Sequence, residues 1–334
     1  MNIISWNSTN QCHLNCPHCY RDAGANLAKE LNTAEAKKML DQIKAANFHL
    51  MIFSGGEPLL RDDIFELISY ASEIGLRPVL GSSGGLIDAQ TAVKLKEAGV
   101  LAAGISLDSV DPQKHNQFRG EAGLFAKVEN AFSELKKVDI PFQTHMTVMD
   151  WNLDELEAVI DYSAQVGAKA AHIFFMVPTG RAAYIEENSI SKNEYQQAIK
   201  RIMKKSEEVE IEVKPVCAPQ FIATADQMDI KTRFRNGCLA GESYCIVNPV
   251  GDVQPCAYLD LKVGNLRENN FKSIWENSEI LNKMRTLDWQ GKCGSCKYGT
   301  NCRGCRARAY YYSGDFMGAD PFCSIENTAY NYIG

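Results

Sequence analysis

Six times within the first two thirds of the chain a short strand-like run is followed by a helical pattern, and this recurrence restricts the fold more than any other feature. The runs rich in β-branched or apolar residues are Ile3–Trp6, Leu50–Phe53, Pro78–Leu80, Leu101–Leu107, Phe142–Val148 and Ala170–Met176. The helical patterns are Thr33–Ala46, Asp62–Ile74, Asp88–Ala98, Leu124–Val138, Leu153–Val166 and Lys192–Glu207. Thr33 is placed to cap the first helix, with Glu35 near its positive end. Gly75, Gly99 and Gly167 each follow a helical pattern, where a left-handed residue ends a helix. Serial β-then-α units imply a parallel sheet with helices outside, and right-handed crossovers curl that sheet. Six units fall short of the eight of a closed barrel. The expected fold class is therefore α/β, a partial (β/α)6 TIM-type barrel, with ligands at the carboxyl ends of its strands.

From about Glu210 the pattern changes. Glu210–Val213 reads as a strand, and Tyr244–Pro249 followed by Gly251-Asp252-Val253 reads as a hairpin. Beyond Cys293 regular periodicity is lost, and cysteine and glycine dominate. Such a segment has little core of its own and takes its order from metal. The expected organisation is residues 1–209 as the partial barrel and 210–334 as a small cysteine-rich α+β domain; 334 residues suit both. The net charge of −6, without a dominant basic stripe, argues against a nucleic-acid partner. Lys200, Arg201, Lys204 and Lys205 interleave with Ile199, Ile202 and Met203, the pattern of a solvated helix face. No apolar run reaches the ~18 residues of a membrane span. Met1–Trp6 lacks the basic start of a signal peptide. The chain is expected in the cytoplasm, away from membranes.

Twelve cysteines in a reducing compartment need a reason other than disulfides. Three lie in residues 12–19, eight in 238–323, and Cys217 stands apart. Such clustering points to metal. Cys12, Cys16 and Cys19 directly follow the first strand, where a barrel places its active site. Three thiolates can wrap one face of an iron–sulfur cubane and leave one iron open, where a purely electron-carrying cluster takes four. Zinc completed by His13 or His18 is the alternative. After the second strand, Ser54-Gly55-Gly56-Glu57-Pro58 offers two glycines that let backbone approach a ligand, or a plain turn.

The C-x3-C-x2-C spacing together with Gly-Gly-Glu-Pro resembles the radical S-adenosylmethionine (SAM) superfamily. The resemblance implies a [4Fe–4S] cluster on Cys12, Cys16 and Cys19 that donates an electron to SAM, giving a 5′-deoxyadenosyl radical that abstracts hydrogen from substrate. It implies that His18 packs near the adenine and that Gly55, Gly56, Glu57 and Pro58 meet the SAM ammonium or orient that loop. Gly81-Ser82-Ser83-Gly84-Gly85 stands where many members carry Thr-Asn-Gly, which leaves the parts of Ser82 and Ser83 open. Ser106 and Asp108 match the segment that reaches SAM's polar groups. Arg119 is placed to pair with a carboxylate through its fork, and Gly180 to let backbone approach adenine. A helix cap or ion pair for Asp108 and Arg119, and a Pro178-Thr179-Gly180 turn, are the plainer alternatives.

The later cysteines resemble the SPASM domain that follows many radical SAM barrels. Gly251 lies five residues before Cys256, and Cys293-x2-Cys296-x5-Cys302 is followed by Cys305 after two residues, where three are usual. The resemblance implies two auxiliary [4Fe–4S] clusters, one on Cys238, Cys245, Cys256 and Cys305 and one on Cys293, Cys296, Cys302 and Cys323. A single auxiliary cluster, or a zinc ribbon on Cys293–Cys305, stays open. Cys217 is left as a packed thiol, a hydrogen donor, or a ligand in place of one of the eight.

Shorter matches narrow the group. Ser5-Trp6-Asn7, His18–Gly24, Cys217-Ala218-Pro219, Gly237–Gly241 and Cys305–Ala309 resemble the radical SAM enzymes of haem d1 and alternative haem biosynthesis. This implies removal or decarboxylation of acidic side chains on a sirohaem-derived tetrapyrrole, with Arg181, Arg303, Arg306 and Arg308 as carboxylate partners or as members of local salt bridges. It also implies a reducing donor such as flavodoxin or ferredoxin. The alternative is a peptide maturase installing thioether, epimer or carbon–carbon links. Many of those carry an N-terminal peptide-binding extension, whereas the first strand here starts near residue 3.

Overall fold

The computed structural model describes residues 2–325. Its strands are β1 (Asn2–Asn7), β2 (Phe48–Ser54), β3 (Arg77–Ser82), β4 (Ala102–Ser106), β5 (Phe142–Val148), β6 (Ala170–Phe175), β7 (Glu212–Val216), β8 (Tyr244–Val247), β9 (Asp252–Gln254) and β10 (Gly264–Asn265). The helices are α1 (Thr33–Ala45), α2 (Ile64–Glu73), α3 (Ala89–Glu97), α4 (Pro112–Arg119), α5 (Leu124–Lys137), α6 (Leu156–Gln165), α7 (Lys192–Lys205), α8 (Phe221–Gln227), α9 (Phe271–Asn277), α10 (Glu279–Arg285) and α11 (Arg306–Ser313). One sheet runs β10-β9-β8-β1-β2-β3-β4-β5-β6-β7. From β8 through β7 every neighbouring pair is parallel. β8–β9 and β9–β10 are antiparallel, and the former is the expected hairpin.

The helices form where apolar residues recur on one face. In α1 these are Ala36, Met39, Leu40 and Ile43, which pack on the outer face of the sheet. The cap of α1 is Asn32 rather than Thr33: Asn32 and Glu35 exchange side-chain and backbone hydrogen bonds in a capping box. Thr33 is the first helical residue, and its hydroxyl instead reaches Asp63 Oδ2 at 2.6 Å. Gly75, Gly99 and Gly167 all have positive φ, as expected of helix ends.

The parallel sheet does not stop at six strands. The strand expected from Glu210 forms as β7 and pairs with β6, so the sheet continues past residue 209. On the other edge β8 pairs with β1, Ile3 against Tyr244 and Trp6 against Val247. Helix α11 has no apolar periodicity to betray it, because its buried residues include Arg306 and Arg308, each about 1% exposed.

Candidate active site

A cavity of about 470 Å³ opens at the carboxyl ends of the parallel strands, within the usual range for a small-molecule site. Cys12, Cys16 and Cys19 all line it. Their loop is held from behind. Cys12 N–H donates to Gly24 O (2.9 Å), and Arg181 Nε donates to Cys16 O (3.0 Å). Arg119 Nη1 lies 3.9 Å from Cys16 Sγ. Burial pushes the Cys12 thiol up to about 11 and raises Cys16 as well, so metal must draw off these protons to be bound. Among the described residues no three His, Cys, Asp or Glu side chains converge on a point that one ion could occupy. Two buried polar atoms at the same cavity, His18 Nδ1 and Arg181 Nη2, have no protein partner, as befits a space built for a polar ligand.

His18 stacks on Phe118, with centroids 4.3 Å apart and planes 8° from parallel. Burial, with the Arg119 charge beside it, lowers its pKa to about 3, so it offers a neutral ring. Arg119 lines the cavity and donates through Nε to Asp108 Oδ2 at 2.6 Å. Asp108 is fully buried and also accepts from Thr147 N–H (2.9 Å). Burial alone would raise its pKa; the Arg119 charge overrides this and holds it near 2. Asp108 therefore does not face the cavity but fixes Arg119, the ion-pair alternative in a buried form. Ser106 lines the cavity directly.

Gly55 and Gly56 line the cavity, and each is needed for close approach to the loop after β1. A Cβ on Gly55 would lie 2.6 Å from Thr9 O, and one on Gly56 2.3 Å from Gln11 O. Glu57 turns away from the cavity and is fully buried. Its carboxylate accepts from the Ser82 hydroxyl (2.9 Å), the Ser83 hydroxyl (2.7 Å) and Ser83 N–H (2.9 Å). Of its two expected parts, it has the one of orienting the loop, and Ser82 and Ser83 gain a part as its partners while lining the cavity. Pro58 starts a short 3-10 turn behind that loop, outside the cavity lining. Gly180 also lies outside the lining: a Cβ there would meet Tyr20 C at 2.4 Å, so it lets β6's loop pack on the cysteine loop.

The four arginines expected to meet carboxylates all make contacts within the protein, and Arg181 and Arg306 also line the cavity. Arg181 spans Cys16 O and Asp22. Arg303 pairs with Glu242, Arg306 donates to Phe316 O and Gly318 O, and Arg308 pairs with Asp320 at 2.8 Å. Further residues in the lining were not singled out from the sequence: His145, Thr147, His172, Phe174 and Lys214 on neighbouring strands, and Tyr20, Tyr244 and Tyr258 elsewhere. Their signal was present in the strands, since Gln143, His145 and Thr147 alternate with buried Phe142, Thr144, Met146 and Val148. Gly104 on the neighbouring strand makes room, since a Cβ there would lie 2.3 Å from His145 Cε1. Burial lowers the pKa of His145 and of His172 to about 3 and lowers that of Lys214. The 3.2 Å contact of His172 Nε2 with Glu212 is accordingly a hydrogen bond from a neutral ring.

The C-terminal thiols form two groups. Cys293, Cys296, Cys302 and Cys323 surround one small void together with Lys292 and Gly304. Cys238, Cys256 and Cys305 line the large cavity. Cys245, expected with them, is absent from that lining and packs in the apolar core on the other face of the sheet.

A parallel sheet with a three-thiol loop after its first strand, followed by two groups of C-terminal thiols, has the layout of a radical SAM enzyme with a SPASM domain. The Radical SAM superfamily model matches residues 6–163, and the SPASM model, an iron-sulfur cluster-binding domain, matches residues 238–306. The cofactors are accordingly [4Fe–4S] clusters and SAM. The chain is 38% identical over 335 residues to the AdoMet-dependent heme synthase of Methanosarcina barkeri, covering 96% of this chain and 95% of that one. It is 37% identical to the same-named protein of Oleidesulfovibrio alaskensis, over 97% and 87%. The chain belongs to the family of these AdoMet-dependent heme synthases. In fold it is similar to Streptococcus suis SuiB bound to precursor peptide SuiA, with a TM-score of 0.78 at 15% identity over 96% of this chain and 75% of that one. No helix among the described residues is long and apolar enough to cross a membrane.

Proposed function

We infer that this chain is a radical SAM enzyme of haem biosynthesis that removes or decarboxylates acidic side chains of a tetrapyrrole. The observation that carries this reading is one continuous cavity running from the three thiols of the β1 loop to the wall of His145, His172 and Lys214, with Tyr20, Tyr244 and Tyr258 also in its lining. Aromatic faces suit a flat macrocycle, and the partly buried Lys214 suits a carboxylate. Kinship with heme synthases points the same way.

In this reading Cys12, Cys16 and Cys19 hold the SAM-binding cluster, and His18, Gly55, Gly56, Ser82, Ser106 and Arg119 form SAM's part of the cavity. When bound, these cofactors would supply a 5′-deoxyadenosyl radical able to take hydrogen from a propionate or acetate carbon, and auxiliary clusters on the C-terminal thiols would offer an acceptor for the electron left when CO2 departs. The protein's own groups position and shield. Arg119, fixed by Asp108, presents a permanent charge beside Cys16 for a methionyl carboxylate. His18, neutral and stacked, presents a flat face. Glu57, Ser82 and Ser83 hold the glycine loop rigid. All twelve cysteines are free of disulfides, which supports a reducing, cytoplasmic setting; a reducing donor such as flavodoxin or ferredoxin is part of the same reading.

The test is anaerobic incubation with SAM, reductant and a panel of iron tetrapyrroles, including decarboxylated sirohaems, against small cysteine-rich peptides, read by mass spectrometry. The expected outcome is loss of carboxyl-derived mass from one tetrapyrrole, matched by 5′-deoxyadenosine. Modification of a peptide with none of any tetrapyrrole would replace this reading by a maturase.

A further inference from the structure

Strand β8 decides which cysteines can share a cluster. Its residues alternate between faces. Tyr244 and Ile246 line the cavity, and the Tyr244 hydroxyl donates to Ser5 Oγ at 3.1 Å. Cys245 and Val247 point the other way, into the core that contains Ile4, Trp6, Phe48, Phe271 and Ile274. Cys245 is fully buried there and sits in register with Ile4 of β1. To reach the other thiols its side chain would have to pass through a hydrogen-bonded sheet, and a one-residue slip would turn every side chain of β8 over.

Cys217 occupies the place that Cys245 leaves. It directly follows β7, at the carboxyl end of the strand, and lines the cavity with Cys238, Cys256 and Cys305. Its φ of +58° is in the left-handed region, which few residues other than glycine adopt. A buried network maintains it. Arg308 Nη2 donates to Cys217 O at 3.1 Å, and Arg308 is paired with Asp320. Asp320 Oδ2 accepts from Cys305 N–H (2.8 Å) and from Gln220 Nε2 (2.7 Å). One ion pair thus fixes the backbone at both Cys217 and Cys305. A Cβ on Gly237 would lie 2.5 Å from Pro219 Cβ and 2.7 Å from Cys302 O, so the segment entering Cys238 is pressed against the same loop. Arg308 Nη1, fully buried, has no protein partner. An unsatisfied guanidinium N–H beside thiols is the donor that a cluster's sulfurs would accept from.

We propose that one auxiliary cluster is ligated by Cys217, Cys238, Cys256 and Cys305, and that Cys245 is a core thiol without a metal role. This assignment holds for any substrate. It leaves both auxiliary sites with four protein ligands and the SAM site with three.

The experiment uses anaerobically reconstituted full-length chain carrying Cys16→Ala, which removes the SAM-binding cluster from the spectra. Cys217→Ala, Cys217→Asp and Cys245→Val are added singly, and iron, sulfide and the EPR spectrum of the reduced protein are measured. Cys245→Val, which fills the same apolar space, is expected to keep the iron count and both auxiliary signals. Cys217→Ala is expected to lose about four irons, or to convert one signal to that of a cluster with an open iron. Cys217→Asp, which retains an anionic ligand, is expected to keep the iron with altered g-values; a merely structural Cys217 would leave the g-values unchanged. An unchanged spectrum in both Cys217 variants, or loss of an auxiliary signal in a Cys245→Val protein whose circular dichroism matches its parent, overturns the assignment.

Discussion

The cysteines after β1 stand on a loop gripped only from behind, whereas those that follow β7 are drawn from four separate stretches of chain and wrapped by them. Cys12, Cys16 and Cys19 lie within eight residues of one another, and Arg181 and Gly24 hold their backbone while the sulfurs face the cavity. Cys217, Cys238, Cys256 and Cys305 meet only after the chain has folded, tied by the Arg308–Asp320 pair. The difference teaches how ligand number is set. A short loop exposes one side of its metal and so leaves a position for an exchangeable ligand. Long-range convergence closes every side.

The sharpest way to break this contrast is Cys16→Ala. It is expected to abolish SAM cleavage, read as 5′-deoxyadenosine, while leaving about eight of about twelve irons bound. Retained cleavage would place the reactive cluster elsewhere. Asp108→Asn comes next, because it leaves Arg119 buried and uncompensated. A loss of about 3–5 kcal/mol is expected, with weakened SAM binding, by thermal unfolding and equilibrium dialysis. A variant as stable as its parent would mean that the pair does not position Arg119.

Much of this was legible in the sequence. The strands and helices that carry apolar alternation or periodicity were readable, and so was the three-thiol loop. What escaped lacked that pattern. Helix α11 buries two arginines, and the cavity wall is built from inward-facing His145, His172 and Lys214. The placement of Cys245 apart from the thiols that spacing groups it with has a simple cause: spacing along a chain says nothing about which face of a strand a side chain occupies until its pairing partners are known. Glu57 escaped in part for a related reason, since its partners Ser82 and Ser83 lie on the next strand's loop.

Two smaller effects sharpen the comparison. Glu57→Gln sets an amide N–H against the Ser83 N–H or hydroxyl, and about 1–3 kcal/mol of stability should be lost. The apparent Kd for SAM should rise with it, whereas auxiliary iron should not change. The pH response should be smaller still. His145 and His172 have folded pKa values of about 3, below the ordinary value near 6.5. Between those limits the unfolded chain binds protons that the folded chain refuses, so stability falls as pH is lowered from about 6.5 toward 4. Each histidine contributes at most about 1.4 kcal/mol per pH unit. Replacing both with Gln should flatten the dependence of Tm on pH; an unchanged slope would show that other groups set it.

The pairing of β1 with β8 has a consequence for how the molecule is made. One edge of β1 stays without its neighbour until Tyr244 has been synthesised. Such a non-local contact forms late and slowly. The loop that carries Cys12, Cys16 and Cys19 therefore extends from a strand seated on both edges only once the segment Tyr244–Val247 has folded against it.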